Sequence, residues 1–217
     1  MVDLRLYALL DPERAGDSTL EGLAQAVADG GATLVQLRDK LGNTRRIVTR
    51  ARNLKATLTP RSIPLLVNDR VDVALAAAAD GVHLGQDDME PADARQLLGP
   101  GAIIGISIKT LAQAQAAPIE IVDYVCIGGV FATTSKRNPE PPVGVDGLER
   151  ILTVIRRRAP RLPVGAIAGI DANNAAAVMA AGVDGIAVIS ALSLAPNVVE
   201  AARTLRGIVD AGLRAGR

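Results

Sequence analysis

Residues 64–84 read PLLVNDRVDVALAAAADGVHL and contain one complete strand–helix–strand unit. The apolar run Pro64–Val67 predicts a buried strand, the alanine-rich window 70–79 predicts a helix, and Gly81–Leu84 predicts a second strand. A strand–helix–strand unit is typical of a parallel sheet, because parallel neighbours need a crossover of about a dozen residues or more. This stretch therefore predicts a parallel sheet that is covered by helices.

The same alternation repeats along the whole chain. The β-rich runs are Leu4–Leu10, Thr33–Leu37, Pro64–Val67, Gly81–Leu84, Ile103–Ile106, Tyr124–Ile127, Val164–Ile167 and Gly185–Ile189. The helix windows that follow them lie near 19–29, 43–58, 70–79, 91–98, 110–117, 146–158, 171–181 and 197–211. Eight such units in 217 residues leave about 27 residues for each unit, which is close to the minimum for a closed barrel. We expect an α/β fold, a single-domain (β/α)8 TIM barrel over residues 1–217.

An open, doubly wound parallel sheet is the structural alternative. Its dinucleotide-binding form carries the pattern Gly-x-Gly-x-x-Gly directly after the first strand. Here the first strand runs into Asp11-Pro12-Glu13, and open sheets usually have fewer strands than this chain offers. The closed barrel is therefore the interpretation that we favour.

The composition excludes several classes of protein. The 24 basic and 23 acidic side chains nearly cancel, and one Phe with two Tyr are too few to stack on bases, so we expect no nucleic-acid partner. Cys126 and His83 are the only residues of their types, which excludes disulfide frameworks and metal sites built from several Cys or His. No signal peptide opens the chain, and no apolar run approaches the roughly 20 residues of a membrane span. We expect a soluble, cytoplasmic protein with no membrane partner.

Polar residues at the end of the second strand are spaced so that they could bind an anion together. Gln36, Arg38 and Lys40 share one face of an extended chain, opposite Leu37 and Asp39, because side chains alternate along a strand. In barrels of this kind the chemistry lies at the carboxyl ends of the strands. Two cations and an amide at such an end predict an anion-binding site, although a solvated loop with scattered charge explains them equally well.

Carboxylates follow the third and fourth strands. Asp69 comes directly after Asn68, and Asp88 follows the fourth strand. Carboxylates on adjacent strand ends suit a hard cation such as Mg²⁺, which takes one or two of them and fills its other positions with water and phosphate. Taken singly, Asp69 is explained better as a helix cap and Asp88 as part of a solvated loop. His83 shares a strand face with Gly81, and we interpret it as a packing histidine and not as a catalytic base.

The remaining strand ends offer hydroxyl groups, glycines and a lysine. Ser107 ends the fifth strand, and the loop after the sixth contains a glycine pair, three consecutive hydroxyl residues and Lys136, which can present N–H groups and a cation to phosphate. Gly169 and Ile189-Ser190 follow the last two strands, where barrels commonly hold a phosphate. Together the strand ends predict two anionic substrates, one of which needs Mg²⁺.

These segments, taken in order, resemble the thiamine phosphate synthase family. The resemblance runs from about residue 4 to residue 205 and is carried by Val35-Gln36-Leu37-Arg38-Asp39-Lys40, Leu66-Val67-Asn68-Asp69, Gly81-Val82-His83-Leu84-Gly85-Gln86-Asp87-Asp88, Thr133–Lys136, Gly169-Ile170 and Ile189-Ser190. It implies a TIM barrel that joins a hydroxymethylpyrimidine diphosphate to a hydroxyethylthiazole phosphate with release of pyrophosphate and with Mg²⁺ as cofactor. The family is thought to react through a pyrimidine methylene cation, which requires no strong general base.

The resemblance also implies a role for each matching residue. The pyrimidine diphosphate would be bound by Gln36, Leu37, Arg38, Asp39, Lys40, Asn68, Ser107 and Lys136, and the catalytic residues would be Arg38, Lys40, Ser107 and Lys136. The thiazole phosphate would be bound by Thr133, Thr134, Ser135, Gly169, Ile189 and Ser190. The metal would be held by Asp69 and Asp88.

The chain departs from the family pattern at a few positions near the predicted site. Gly129 and Ala132 stand where many members have proline, Ser135 replaces a usual threonine, and Ala168 replaces a glycine of the phosphate loop. Ile108-Lys109 replaces a frequent pair made of a small residue and histidine. None of these changes removes a metal ligand or a diphosphate contact.

Two other functions remain as alternatives. The sister group of thiazole tautomerases uses the same barrel as an isomerase, but it has less need for two metal carboxylates together with Arg38, Lys40 and Lys136. A non-catalytic barrel that only binds a thiamine precursor would not require a metal-activated leaving group. The oligomeric state stays open, because apolar positions on the outer helices suit internal packing and a homo-oligomer interface equally well.

Overall fold

A computed structural model describes residues 1–133 and 141–216 of the chain. In this part of the chain eight parallel strands pair in sequence order, and β8 pairs with β1, so the sheet closes into a barrel. The strands are β1 (Leu6–Leu10), β2 (Leu34–Leu37), β3 (Leu65–Asn68), β4 (Gly81–Leu84), β5 (Ile103–Ile108), β6 (Tyr124–Ile127), β7 (Val164–Ile167) and β8 (Gly185–Val188). The predicted closed barrel is confirmed, and the open sheet is excluded.

A helix follows every strand and packs on the outside of the barrel. The helices in the described residues are α1 (Leu20–Asp29), α2 (Thr44–Leu58), α3 (Val71–Ala77), α4 (Pro91–Leu98), α5 (Leu111–Ala116), α6 (Gly144–Arg158), α7 (Ala175–Ala180), α8 (Ser190–Ser193) and α9 (Val198–Ala215). Short 3₁₀ turns lie at Pro12–Arg14 and Thr59–Arg61.

Two helices differ from the sequence prediction. The window 171–181 becomes the shorter α7, because the side chain of Asp171 accepts a hydrogen bond from Asn173 N at 2.8 Å and that of Asn174 accepts one from Asp171 N at 3.0 Å. Such side-chain bonds stabilise a turn in place of the first helical turn. The four-residue helix α8 was not predicted, since an isolated turn has too few residues to show a periodic pattern.

Buried apolar side chains form two clusters in the described part of the chain. The larger one fills the space between the strands and the surrounding helices. The smaller one, which we call the inner cluster, lies inside the barrel and contains Leu4, Tyr7, Leu9, Leu34, Leu66, Tyr124, Cys126 and Ala187. The inner cluster fills the barrel interior beneath the carboxyl ends of the strands, so the barrel has a packed core and no open pore.

At the amino edge of the barrel, three aspartates join neighbouring strands by the same arrangement. Each carboxylate accepts a hydrogen bond, of 2.7 or 2.8 Å, from the backbone N–H of a residue on the preceding strand, and each aspartate N–H donates to the carbonyl of that same residue at 2.8 Å. The pairs are Asp80 with Leu65, Asp123 with Ile104 and Asp184 with Val164. Each aspartate also forms an ion pair: Asp80 with Lys55, Asp123 with Arg95 and Asp184 with Arg156. These bonds fix the register of neighbouring strands at the amino edge of the barrel.

The described helices include none that combines the length and the apolar character needed to cross a lipid bilayer.

We predict that Asp184→Ala lowers the free energy of unfolding by about 1 to 3 kcal/mol, because a backbone donor and Arg156 both lose a charged acceptor. Asp29→Ala is the control, since its carboxylate forms an exposed ion pair with Arg61 and such pairs contribute about 1 kcal/mol at most. Urea unfolding of both variants measures the difference. Equal losses in the two variants would show that the strand-edge bond adds nothing.

Candidate active site

A cavity of about 280 Å³ opens at the carboxyl ends of the strands. Eight of the residues predicted from the sequence line it: Gln36, Arg38, Asn68, Ser107, Thr133, Gly169, Ile189 and Ser190. They come from β2, β3, β5, β7 and β8 or from the loops that follow the strands. Because parallel strands end at one edge of a barrel, residues more than 150 positions apart in the chain share this cavity.

The two cations that end β2 are both held by carboxylates. The Arg38 guanidinium pairs with Asp11, whose side chain is only 2% exposed, and the Lys40 ammonium pairs with Asp69. Asp11 directly follows β1 and was not among the site residues predicted from the sequence. The available signal was its position, since an acid after the first strand lies next to Arg38 after the second.

Two residues predicted to bind the pyrimidine diphosphate turn their side chains elsewhere. Leu37 is fully buried in the cluster between strands and helices. The carboxylate of Asp39 pairs with Arg50 of α2 and accepts a hydrogen bond from Gly42 N at 2.8 Å. Neither side chain lines the cavity, as alternation along the strand requires. A contact of either residue with a substrate would therefore come from its backbone.

Asp69 and Asp88 interact with each other, and each is next in the chain to a residue that lines the cavity, Asn68 or Asp87, although neither lines it itself. The backbone of Asp69 has a φ of +61°, which aspartate tolerates better than most residues, and its N–H donates to the carbonyl of His83 at 2.8 Å. Burial raises the pKa of the Asp69 carboxyl, and a side-chain hydrogen bond with Asp88 raises it further, while Lys40 opposes the shift. Asp88 accepts a hydrogen bond from Gly85 N at 2.7 Å. The two carboxylates are thus close enough to share one cation.

The chemistry of this pair is compatible with a bound Mg²⁺ ion. No side chain caps α3, so Asp69 is not the helix cap that the sequence also allowed. Half-buried, adjacent carboxylates repel each other as charged groups, and a bound cation removes that cost. The described residues contain no cluster of three or more His, Cys, Asp or Glu side chains that would suit a metal held by protein ligands alone. Two carboxylates with open positions for water and phosphate match the ligand set of Mg²⁺.

The fifth strand contributes a serine that a histidine supports. His83 is 6% exposed, lines the cavity, and has Nε2 at 2.8 Å from Ser107 Oγ. Gln86 Nε2 donates to the Ser107 carbonyl at 2.8 Å. These contacts agree with the prediction that His83 is a packing histidine, but its ring also borders the cavity, which was not predicted.

The opposite side of the cavity is formed by small and hydroxyl residues. Gly169 has a φ of +66°, and a Cβ atom there would lie 2.5 Å from the carbonyl oxygen of Ala132, so only glycine fits. Ala168 adopts a φ of +93°, a region costly for alanine, and its carbonyl accepts a hydrogen bond from Phe131 N at 3.0 Å. The helix after β7 begins at Ala175 and not near residue 171 as predicted, so five residues separate its first residue from Gly169. Thr134, Ser135 and Lys136 lie outside the described residues.

Comparisons with known proteins give one consistent result. Residues 6–192 match the family model of thiamine monophosphate synthase. A thiamine-phosphate synthase of Agrobacterium fabrum is 49% identical over 99% of this chain and 97% of its own length. One from Azorhizobium caulinodans is 46% identical over 98% of both chains. The solved structure of a thiamine phosphate pyrophosphorylase from Pyrococcus furiosus superposes with a TM-score of 0.84, at 36% identity over 98% of both chains. The chain therefore belongs to the thiamine monophosphate synthase family.

Proposed function

We propose that this cavity joins a pyrimidine diphosphate to a thiazole phosphate, forming thiamine phosphate and pyrophosphate, so that the chain acts as a thiamine-phosphate synthase and a transferase. The observation that supports this most strongly is that the residues around the cavity come from two separate groups of strands. Gln36 of β2, Arg38 directly after β2 and Asn68 of β3 form one group, and Asn68 is next in the chain to Asp69. Gly169 and Ser190, which follow β7 and β8, form the other. A cavity with two anion-binding halves suits a reaction between two phosphorylated substrates.

The first half is assigned to the pyrimidine diphosphate. A diphosphate ester carries about three negative charges near neutral pH, since a phosphate monoester carries about 1.5 to 2. Arg38, Lys40 and Lys136 supply cations, and Gln36, Asn68 and Ser107 supply hydrogen bonds. Asp69 and Asp88 would hold Mg²⁺, which when bound supplies positive charge to the leaving diphosphate. Lys40 then exchanges its Asp69 partner for a phosphate oxygen.

The second half is assigned to the thiazole phosphate. Thr133, Gly169, Ile189 and Ser190 line this side of the cavity, and we place Thr134 and Ser135 in the same subsite. Backbone N–H groups near glycine and hydroxyl side chains are common phosphate ligands, because they offer donors without a steric barrier. The proximity of both halves in one cavity holds the thiazole nitrogen near the pyrimidine methylene carbon.

The reaction breaks one bond and forms one bond. The C–O bond between the pyrimidine methylene carbon and the diphosphate breaks, and its electron pair leaves with pyrophosphate. The lone pair of the thiazole nitrogen forms the new C–N bond at that carbon. No proton has to be removed for this exchange, so the site needs no strong base. The cations of the rim stabilise the charge that develops on the departing diphosphate. The names of the relatives do not favour the tautomerase or the non-catalytic alternative.

A coupling assay tests the proposed function. The protein is incubated with both substrates and Mg²⁺, and thiamine phosphate is detected after oxidation to its fluorescent product. We expect product that disappears when a chelator is added or when either substrate is omitted. A folded protein that forms no thiamine phosphate under these conditions would contradict the proposal.

We predict that Asp69→Asn and Asp88→Asn each lower kcat/KM by about 100-fold or more, because a ligand charge worth several kcal/mol of transition-state stabilisation is lost. Asparagine tolerates the positive φ at position 69. At position 88 its side-chain oxygen can still accept the hydrogen bond from Gly85 N, so both variants should fold. The control is Asp93→Asn, an exposed carboxylate in the first turn of α4. The Mg²⁺ concentration for half-maximal rate should rise in the first two variants only. Wild-type rates in both Asp69→Asn and Asp88→Asn would show that these two carboxylates do not hold the metal.

A further inference from the structure

The fifth strand is followed by a cation to which the proposed reaction assigns no role. Lys109 comes directly after β5, is half-buried and lines the cavity. It stands at a position where the chain departs from the family pattern, in which histidine is frequent. Among the residues that the structure describes, Arg38 is the only other lysine or arginine that lines this cavity. Lys109 is therefore available to an anionic ligand.

The alternation of side chains along β5 turns Lys109 towards the cavity. Ser107 faces the barrel interior, where its Oγ atom lies 2.8 Å from His83 Nε2. The side chain of Ile108 points the other way and is buried in the cluster between strands and helices. Because successive side chains of an extended chain point to opposite faces, Lys109 shares the face of Ser107.

The end of β2 has the same arrangement. Gln36 and Arg38 line the cavity, and the side chain of Leu37 between them is buried in the outer cluster. Two residues of a parallel strand span about 6.6 Å along its axis. Each of the two strands therefore presents an uncharged hydrogen-bonding side chain inside the cavity and a cation nearer to the rim.

The start of α5 holds the backbone of Lys109 in place. The Lys109 N–H donates to Gln113 Oε1 at 2.6 Å, and the same oxygen accepts a hydrogen bond from Thr110 N at 3.1 Å. Thr110 Oγ1 in turn accepts one from Gln113 N at 3.1 Å, which completes a capping box. None of these bonds uses the lysine side chain, so a substitution of Lys109 leaves the cap of the helix intact.

The neighbours of Lys109 belong to the half of the cavity that we assign to the pyrimidine diphosphate. Ser107, on the same face of β5, is one of the ligands proposed for that substrate. Gln86 Nε2 donates to the Ser107 carbonyl at 2.8 Å, so the loop that carries Asp88 is bonded to the end of β5. Asp87 of this loop also lines the cavity, but it is exposed, so water and salt screen its charge more than that of the half-buried lysine.

The charge of a diphosphate exceeds what the cations assigned so far can offset. A diphosphate ester carries about three negative charges near neutral pH. The charge of Arg38 is offset by the buried Asp11, and the charge of a Mg²⁺ ion would be offset by its two carboxylate ligands. Lys40 and Lys136 then leave part of the diphosphate charge without a counter-charge, and Lys109 supplies a further cation.

We propose that Lys109 is a further diphosphate-binding residue, whose ammonium group binds the diphosphate of the pyrimidine substrate and the pyrophosphate that leaves from it. The inference rests on the proposed function, because that function assigns a diphosphate to this half of the cavity. Negative charge develops on the diphosphate as the C–O bond breaks. A cation bound to the diphosphate therefore stabilises the transition state more than it stabilises the bound substrate.

Lys109→Met tests this assignment, because methionine keeps an unbranched apolar side chain and the backbone bond to Gln113 but removes the charge. The measured quantity is the Kd of inorganic pyrophosphate, by calorimetry with Mg²⁺ present. We expect this Kd to rise by about tenfold or more in Lys109→Met, the factor expected for a lost hydrogen bond between charged groups. Lys109→Arg keeps the charge and should stay within about threefold of the wild type. The Kd of the thiazole phosphate should be the same in all three proteins.

Arg157→Met is the matched control, because it removes the same charge from an exposed residue of α6 that does not line the cavity. It should change neither Kd. An unchanged Kd of pyrophosphate in Lys109→Met, or an equal or larger rise in the Kd of the thiazole phosphate, would overturn this inference alone in a protein whose wild type makes thiamine phosphate. A wild type that makes no thiamine phosphate would instead overturn the proposed function on which it rests.

Discussion

Closure of the parallel sheet is the constraint on which the site depends. Pairing of β8 with β1 brings Ala187 next to Tyr7 and makes all strands end at one rim. Every βα unit therefore delivers the residues after its strand to the same small volume, however far apart they lie in the sequence. The inner cluster closes that volume from beneath, and the aspartates of the amino edge hold the register. Chemistry at the rim can vary while the strands and their pairing stay the same.

The electrostatics of the rim follow from this geometry. Cations near the site are held by neighbouring carboxylates, Arg38 by Asp11 and Lys40 by Asp69. A buried guanidinium needs such a partner, because an uncompensated charge away from water is costly. The two pairs nevertheless differ in what they allow. Asp11 is almost completely buried and keeps Arg38 in one orientation, whereas Lys40 is half-exposed and can move to a phosphate oxygen. Arg38 is thus held in one place, and we propose that Lys40 moves to the substrate.

Much of this arrangement could be predicted from the sequence, and the rest depended on contacts between strands. The alternation of side chains along β2 correctly predicted that Gln36 and Arg38 face the cavity while Leu37 faces the core. This alternation is a local property of an extended chain, so it can be read from the sequence. The partners of Arg38 and of His83 could not be read in the same way. Each lies on a different strand, and only the register and tilt of the closed barrel decide which side chains meet. The contacts of the Tyr124 hydroxyl with the Tyr7 hydroxyl and with His83 Nδ1 could not be predicted for the same reason.

The central claim is that one half of the rim binds a diphosphate together with Mg²⁺ and the other half binds a phosphate without it. Calorimetric titration of each substrate alone, with Mg²⁺ and then with a chelator, tests this division most directly. We expect chelation to raise the Kd of the pyrimidine diphosphate by about tenfold or more and to leave that of the thiazole phosphate unchanged, because a coupling free energy links only ligands that interact. Equal effects on both substrates, or none on either, would contradict the account.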